Sequence, residues 1–263
     1  MNGASPLFSW GNPRFWLVPA LALFGCAAVV ATGSNERVFL LLNRLGPETS
    51  DLLWANLTIL GDGTVALALC LLLARRRPDL LWAVVPSAIL VSLWTRLWKH
   101  LVDVVRPAAV LGADTIHFIG PAYQYHSFPS GHATTAFSLA ALCVLGFRLR
   151  ALSLLPIAVA VTVAISRCVV GVHWPLDLLG GAFGGWLAAA LGLKVAAALP
   201  TGLRPSAQWI IALILSGCAL VLLLTSPTDY AQALWFQRAI GALSLTGFAV
   251  ALAFHRSRQG AQG

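Results

Sequence analysis

The chain has 263 residues, of which 59% are apolar and only 10% charged, and its formal net charge is +8. A water-soluble domain carries about 25% charged residues and could not cover this much apolar surface, so a bilayer must be the solvent. The positive charge does not point to nucleic acid, because the cations sit in short clusters between apolar runs, as membrane orientation signals do.

Eight apolar runs have the length, or nearly so, to cross a hydrocarbon core about 30 Å thick as helices. They cover residues 15–32, 58–74, 80–98, 131–147, 152–168, 178–198, 208–225 and 239–254. The runs are continuous and do not alternate, which excludes barrel strands and predicts an all-α, polytopic helical membrane protein. Arg14, the first run and the small residues at Gly25-Cys26-Ala27 have the outline of a signal peptide, but Phe24 is bulky for lipoprotein processing and the run reads as a retained first span. Segment 36–57, broken by Gly46 and Pro47, is either a short helix in the membrane interface or a plain loop. The second run carries Gly61-Asp62-Gly63 near its outer end; Asp62 is there either to touch substrate or pair with a cation, or to cap a helix.

The longest polar stretch, 99–128, holds His100, Asp103, Arg106, Asp114, His117 and His126, and polar loops of this length are often functional. The Pro- and Gly-containing stretch 199–206 divides six spans, residues 1–198, from a C-terminal helix pair, residues 199–263. The five cysteines, Cys26, Cys70, Cys143, Cys168 and Cys218, lie within or at the ends of apolar runs with no CxxC pair, so neither zinc nor a disulfide framework is indicated.

Cations orient the chain. With the N-terminus inside, Arg14, Arg75, Arg76, Arg77, Arg148, Arg150, Lys194, Arg204, Arg256 and Arg258 are cytoplasmic, ten of the 17 Lys and Arg. Arg37, Arg44, Arg96, Lys99, Arg106, Arg167 and Arg238 are external. The positive-inside rule then places both termini in the cytoplasm, in agreement with an even number of spans.

Three segments on the outer side carry polar groups at fixed spacing: Lys99, then Arg106-Pro107; Pro129-Ser130-Gly131-His132; and Ser166-Arg167, then His173 and Asp177. Taken singly these are weak signals, since Pro-Ser-Gly-His is usually a turn entering a helix and a basic residue at a span end usually snorkels. Together, over residues 58–190, the three blocks resemble the signature of the type 2 phosphatidic acid phosphatase superfamily, whose membrane branch contains lipid phosphatases and phosphotransferases.

The resemblance implies that His173 is a nucleophile forming a phosphohistidine, oriented by Asp177, and that His132 protonates the leaving oxygen. Each role is chemically sound: neutral imidazole attacks phosphorus directly, and a carboxylate fixes its tautomer and stabilises the developing charge. Lys99, Arg106 and Arg167 would bind phosphate together with Ser130, Gly131 and Ser166, guanidinium forks and a helix N-terminus both being suited to it. Asp62, His117, Tyr123, Tyr125 and His126 are candidates for substrate contact by location alone. No cofactor and no metal are expected, because the cations take that place and no carboxylate cluster suits magnesium. The implied substrate is a lipid phosphate or pyrophosphate, undecaprenyl pyrophosphate first, handled by a multi-pass protein of a bacterial inner (plasma) membrane whose site faces the periplasm or exterior. A phosphotransferase passing phosphate to an acceptor lipid such as lipid A would use the same residues. A transporter or scaffold that kept the pocket would not need both His173 and His132. Vanadium haloperoxidases share the signature but are soluble, which this composition excludes.

Overall fold

The computed structural model describes residues 11, 13–112, 115–147 and 154–260; Asp114 of the polar stretch and Arg148 and Arg150 of the cytoplasmic cations lie outside them. Among the described residues every regular element is helical. The chain runs through α1 (Pro13–Thr32), α2 (Asn35–Asn43), α3 (Leu45–Glu48), α4 (Asp51–Ile59), α5 (Gly63–Cys70), α6 (Pro78–Val102) and α7 (Pro107–Leu111). It continues with α8 (Gly131–Gly146), α9 (Leu154–Val169), α10 (Pro175–Ala198), α11 (Pro205–Leu224) and α12 (Leu234–Gly260).

Five of these, α1, α6, α10, α11 and α12, are long and apolar enough to cross a bilayer alone. The second run differs from expectation. It is a pair, α4 and the continuation of α5 to Leu73, bent by 60° at the Gly61-Asp62-Gly63 break, and counts as a sixth span when taken as one. The bend has a local cause. A Cβ on Gly61 would lie 2.8 Å from both Cβ and the carbonyl of His132, so the chain can pass there only as glycine. Asp62 then restarts the helix, its carboxylate accepting from the N–H groups of Thr64 (2.7 Å) and Val65 (3.2 Å). Among the described residues the expected runs four and five, α8 and α9, have 16 residues each, about 24 Å of helix, which falls short of the hydrocarbon thickness. Segment 36–57 is helical, not a plain loop, since α2, α3 and most of α4 occupy it.

Helix α10 is the axis of the bundle: 72% of its span is buried, against 22% for α1. It is paved with glycine. A Cβ on Gly185 would sit 2.1 Å from the carbonyl oxygen of Thr134 in α8, and one on Gly184 would sit 2.0 Å from the Trp94 indole of α6. Small residues at this spacing let helices close to van der Waals contact where no hydrophobic drive separates protein from lipid. The remaining two long helices, α11 and α12, pair with each other and pack against α5, with Gly241 close to the Ala219 carbonyl and Gly247 close to Leu72.

The ends of the bundle are chemically distinct. At one end Gln208 donates to the Pro78 (3.0 Å) and Gly202 carbonyls, Trp82 donates to the Leu199 carbonyl (2.8 Å), and Arg77 bonds both Asp79 and the Gly146 carbonyl. These bonds tie the starts of α6 and α11 to the ends of α8 and α10. The opposite end therefore collects the starts of α5, α8, α10 and α12 and the ends of α6, α9 and α11. There Asn43 is buried, and its side chain donates to the carbonyls of His117, Cys168 and Val169 and accepts the His117 N–H, pinning α2 to the last turn of α9.

Candidate active site

The turn after α9 delivers His173. Gly171 makes that turn possible, with φ at +85° and no room for a Cβ, which would lie 2.8 Å from the His117 carbonyl. Pro175 opens α10 at a position where its missing N–H costs nothing. His173 is 2% exposed, and its Nδ1 lies 3.1 Å from Oδ2 of Asp177. The four-residue spacing acts through the helix cap: His173 precedes α10, and Asp177 in the first turn folds back to accept the Trp174 N–H at 2.8 Å. Ser127 donates its hydroxyl to the same carboxylate oxygen. Burial, followed by the charges of Arg106, Arg167 and Lys99, holds the His173 imidazole well below the ordinary histidine range, so it is neutral at physiological pH.

Helix α8 starts beside this pair. Ser130 caps it by accepting the Ala133 N–H, while the Ser130 N–H donates to the Asp177 carbonyl (3.0 Å), joining the two helix starts. The cations arrive from three other elements. Arg106 is 7% exposed; it donates to the carbonyls of Tyr125 (2.8 Å) and Val172 (3.1 Å) and lies 4.9 Å from the Tyr123 ring centroid. Arg167 is 3% exposed and donates to the hydroxyls of Thr58 (2.6 Å) and Tyr230 (2.8 Å). Neither guanidinium is ion-paired among the described residues. Two buried cations held only by neutral acceptors form an anion site, because an unbalanced buried charge is costly and an incoming anion restores the balance.

These groups share a cavity of about 310 Å³ lined by Asp62, Lys99, Arg106, Tyr123, Gly131, His132, Arg167, His173, Thr228, Asp229 and Tyr230. Of the residues expected from sequence, Lys99, Arg106, Tyr123, Gly131, His132, Arg167, His173 and Asp62 are thus brought together, with Asp177 directly behind His173. Asp62 caps α5, one of its two expected roles, and also lines the cavity, though it pairs with no cation among the described residues. Others stand apart. The Ser166 hydroxyl bonds the Val163 carbonyl of its own helix (2.6 Å), and Ser130 is a buried cap; neither side chain lines the cavity. His117 bonds Asp51 (2.8 Å), Tyr125 is 61% exposed, and His126 pairs with Asp103 (3.0 Å). These last three do not line the cavity either; Tyr125 serves it through its backbone carbonyl alone.

Sequence reasoning did not reach Ser127, Thr58, Thr228, Asp229 or Tyr230. The last three come from the turn between α11 and α12, and the signal was present: Ser226 to Tyr230 is a polar break that span parity puts on the same side as the other motifs. Tyr123 donates its hydroxyl to Asp229; burial and then that carboxylate push the Tyr123 phenol up to about 12, so it remains a donor. Among the described residues no group of three or more His, Cys, Asp or Glu is placed to hold a metal ion.

Residues 79–200 match the family model of the PAP2 superfamily. The chain is 41% identical over 76 residues to the Lipid A 4'-phosphatase of Bacteroides thetaiotaomicron, covering 27% of this chain and 34% of that one. It is 38% identical over 78 residues to the Undecaprenyl-diphosphatase of Sulfolobus acidocaldarius, covering 27% and 37%. These matches span about a third of the length of the curated relatives. The crystal structure of Aquifex aeolicus LpxE superposes with a TM-score of 0.55 at 26% identity, over 61% of this chain and 94% of that one.

Proposed function

From the premise that residues 79–200 belong to the PAP2 superfamily, we propose that this chain is a membrane phosphatase that removes phosphate from a lipid phosphate or pyrophosphate through a phosphohistidine on His173. One observation carries the proposal: a neutral, carboxylate-backed histidine faces a cavity in which two buried guanidiniums form no ion pair among the described residues.

The chemistry follows from the positions of the groups. Asp177 accepts the Nδ1 proton of His173 and leaves the Nε2 lone pair for phosphorus. As the nitrogen–phosphorus bond forms, the bond from phosphorus to the leaving oxygen breaks, and His132 donates its proton to that oxygen. Lys99, Arg106, Arg167 and the N-terminus of α8 bear the charge spread over the non-bridging oxygens in the transition state. Water, losing a proton to His132, then cleaves the phosphohistidine and releases phosphate.

Undecaprenyl pyrophosphate is the first-choice substrate. The name of the Sulfolobus relative supports this reading, as does leaving-group chemistry, because a phosphate leaves more readily than an alkoxide and pyrophosphate lipids should turn over faster on this frame. The distribution of Lys and Arg supports a multi-pass protein of a bacterial inner membrane with both termini in the cytoplasm and the site on the far side. Residues 1–198 form the phosphatase core in this reading, followed by the C-terminal helix pair. A phosphotransferase passing phosphate to an acceptor lipid such as lipid A is the second reading, since it would use the same residues; the Bacteroides relative, by its name a lipid A phosphatase, supports hydrolysis.

The test is free phosphate release by purified protein from undecaprenyl pyrophosphate in detergent, with and without lipid A as acceptor. We expect release without acceptor, and its loss in His173→Ala. Activity of that variant within about tenfold of wild type, a barrier change of ~1.4 kcal/mol, would overturn the nucleophile assignment. Phosphate appearing only on lipid A would establish the transferase.

A further inference from the structure

We infer that Tyr230 is a positioning residue acting through Arg167, so that the turn between α11 and α12 completes a phosphate site whose signature motifs all lie elsewhere in the chain. The inference rests on the phosphatase reading for its chemistry but not for its geometry. Tyr230 lies outside residues 79–200, the stretch matched by the family model. Its hydroxyl accepts from Nη1 of Arg167 at 2.8 Å, and the guanidinium carbon is 5.8 Å from its ring centroid. The other partner of Arg167, the Thr58 hydroxyl at 2.6 Å, is also neutral.

The choice of acceptor matters. An arginine side chain surrenders rotamer freedom when it is fixed, and holding it before substrate arrives removes that cost from the binding step. A carboxylate would hold it equally well but would compete with the phosphate; two hydroxyls orient the guanidinium and leave its charge intact. Nε of Arg167 is buried without a partner among the described residues and remains as a donor toward the cavity that Arg167 lines.

The turn itself is braced to keep Tyr230 in place. Gln237 is fully buried; its amide donates to the Leu222 (2.9 Å) and Thr225 (2.8 Å) carbonyls and accepts from the Thr228 hydroxyl (2.8 Å). Gly120, with φ at +85°, lets the opposite loop close on it, since a Cβ there would stand 2.9 Å from the Tyr230 ring. Tyr123 of that loop reaches across to Asp229.

The experiment is a double-mutant cycle in the full chain, with Tyr230→Phe made in wild type and in Arg167→Lys. Two readouts are taken: phosphate release from farnesyl diphosphate, and the orthovanadate concentration giving half of the maximal rise in Tm. If Tyr230 acts through Arg167, Tyr230→Phe lowers kcat/KM about tenfold and weakens vanadate binding similarly in wild type. In the Arg167→Lys background it changes both less than about twofold, and the ligand-free Tm is preserved throughout. Unchanged values in wild type, or equal losses in both backgrounds, would overturn the inference. Should Tyr230→Phe fail to fold, Thr58→Val removes the companion acceptor and is held to the same outcomes. If wild type releases no phosphate from farnesyl diphosphate or from undecaprenyl pyrophosphate, the phosphatase reading is what fails, and the vanadate measurement still decides the role of Tyr230.

Discussion

A histidine can attack phosphorus only while its ring is neutral, and the surroundings of His173 are arranged to keep it so. Burial and three nearby cations all disfavour the imidazolium, so protonation, and with it loss of the proposed nucleophile, is displaced to lower pH. A nucleophile with a lowered pKa stays active above that pKa and is lost as pH falls through it. The acid limb of kcat/KM should therefore lie below about pH 6.5, the ordinary histidine value. A pH profile on a soluble diphosphate probe checks this, and an acid limb at or above about pH 7 would contradict it. Asp177 is itself held by Ser127 and the Trp174 N–H, so the orientation of His173 depends on a residue that no motif contains.

At the scale of elements, the site exists because helix starts converge. The N-terminus of α8 reaches the first turn of α10 through the Ser130–Asp177 backbone bond, and the glycine face of α10 lets the helices approach closely enough for it. Gly185 is the least forgiving point, since the atom its Cβ would meet is backbone and cannot rotate away. Gly185→Ala should therefore overpack the α8–α10 contact, at a cost of about 1–3 kcal/mol, and lower both Tm in detergent and activity. Gly217→Ala in α11 is the control: its Cβ would meet nothing within 4 Å, and we expect Tm to be unchanged or slightly raised. Equal behaviour of the two variants would show that close approach is not what the glycine supplies.

At the scale of the molecule, every group lining the cavity lies at the bundle end opposite Arg75, Arg76 and Arg77, and the orientation of that end in the membrane can be tested directly. Tyr125 and Arg76 are both exposed and lie at opposite ends. In intact cells, Tyr125→Cys should react with an impermeant maleimide and Arg76→Cys should not, with labelling of both after permeabilisation. The reverse pattern in intact cells would place the site in the cytoplasm and exclude a substrate presented on the outer leaflet.

What the sequence alone determined were quantities that local chemistry sets. Apolar content required a bilayer, unbroken runs required helices, and the resemblance of three motifs to a phosphatase signature singled out Lys99, Arg106, His132, Arg167, His173 and Asp177 as the expected site. The 60° break before α5 was legible only as Gly-Asp-Gly, since whether such a triplet bends a span depends on His132 packing against Gly61. Tertiary structure alone decided which polar residues of the long loop leave the cavity, as His117 and His126 do by pairing with Asp51 and Asp103. It also decided that Thr58, Asp229 and Tyr230 enter the site. All three lie far from the motifs in the chain: Thr58 meets Arg167 because α4 packs against α9, and Asp229 and Tyr230 arrive because α11 and α12 pack against α5, and sequence periodicity carries no information about which distant helix ends will meet.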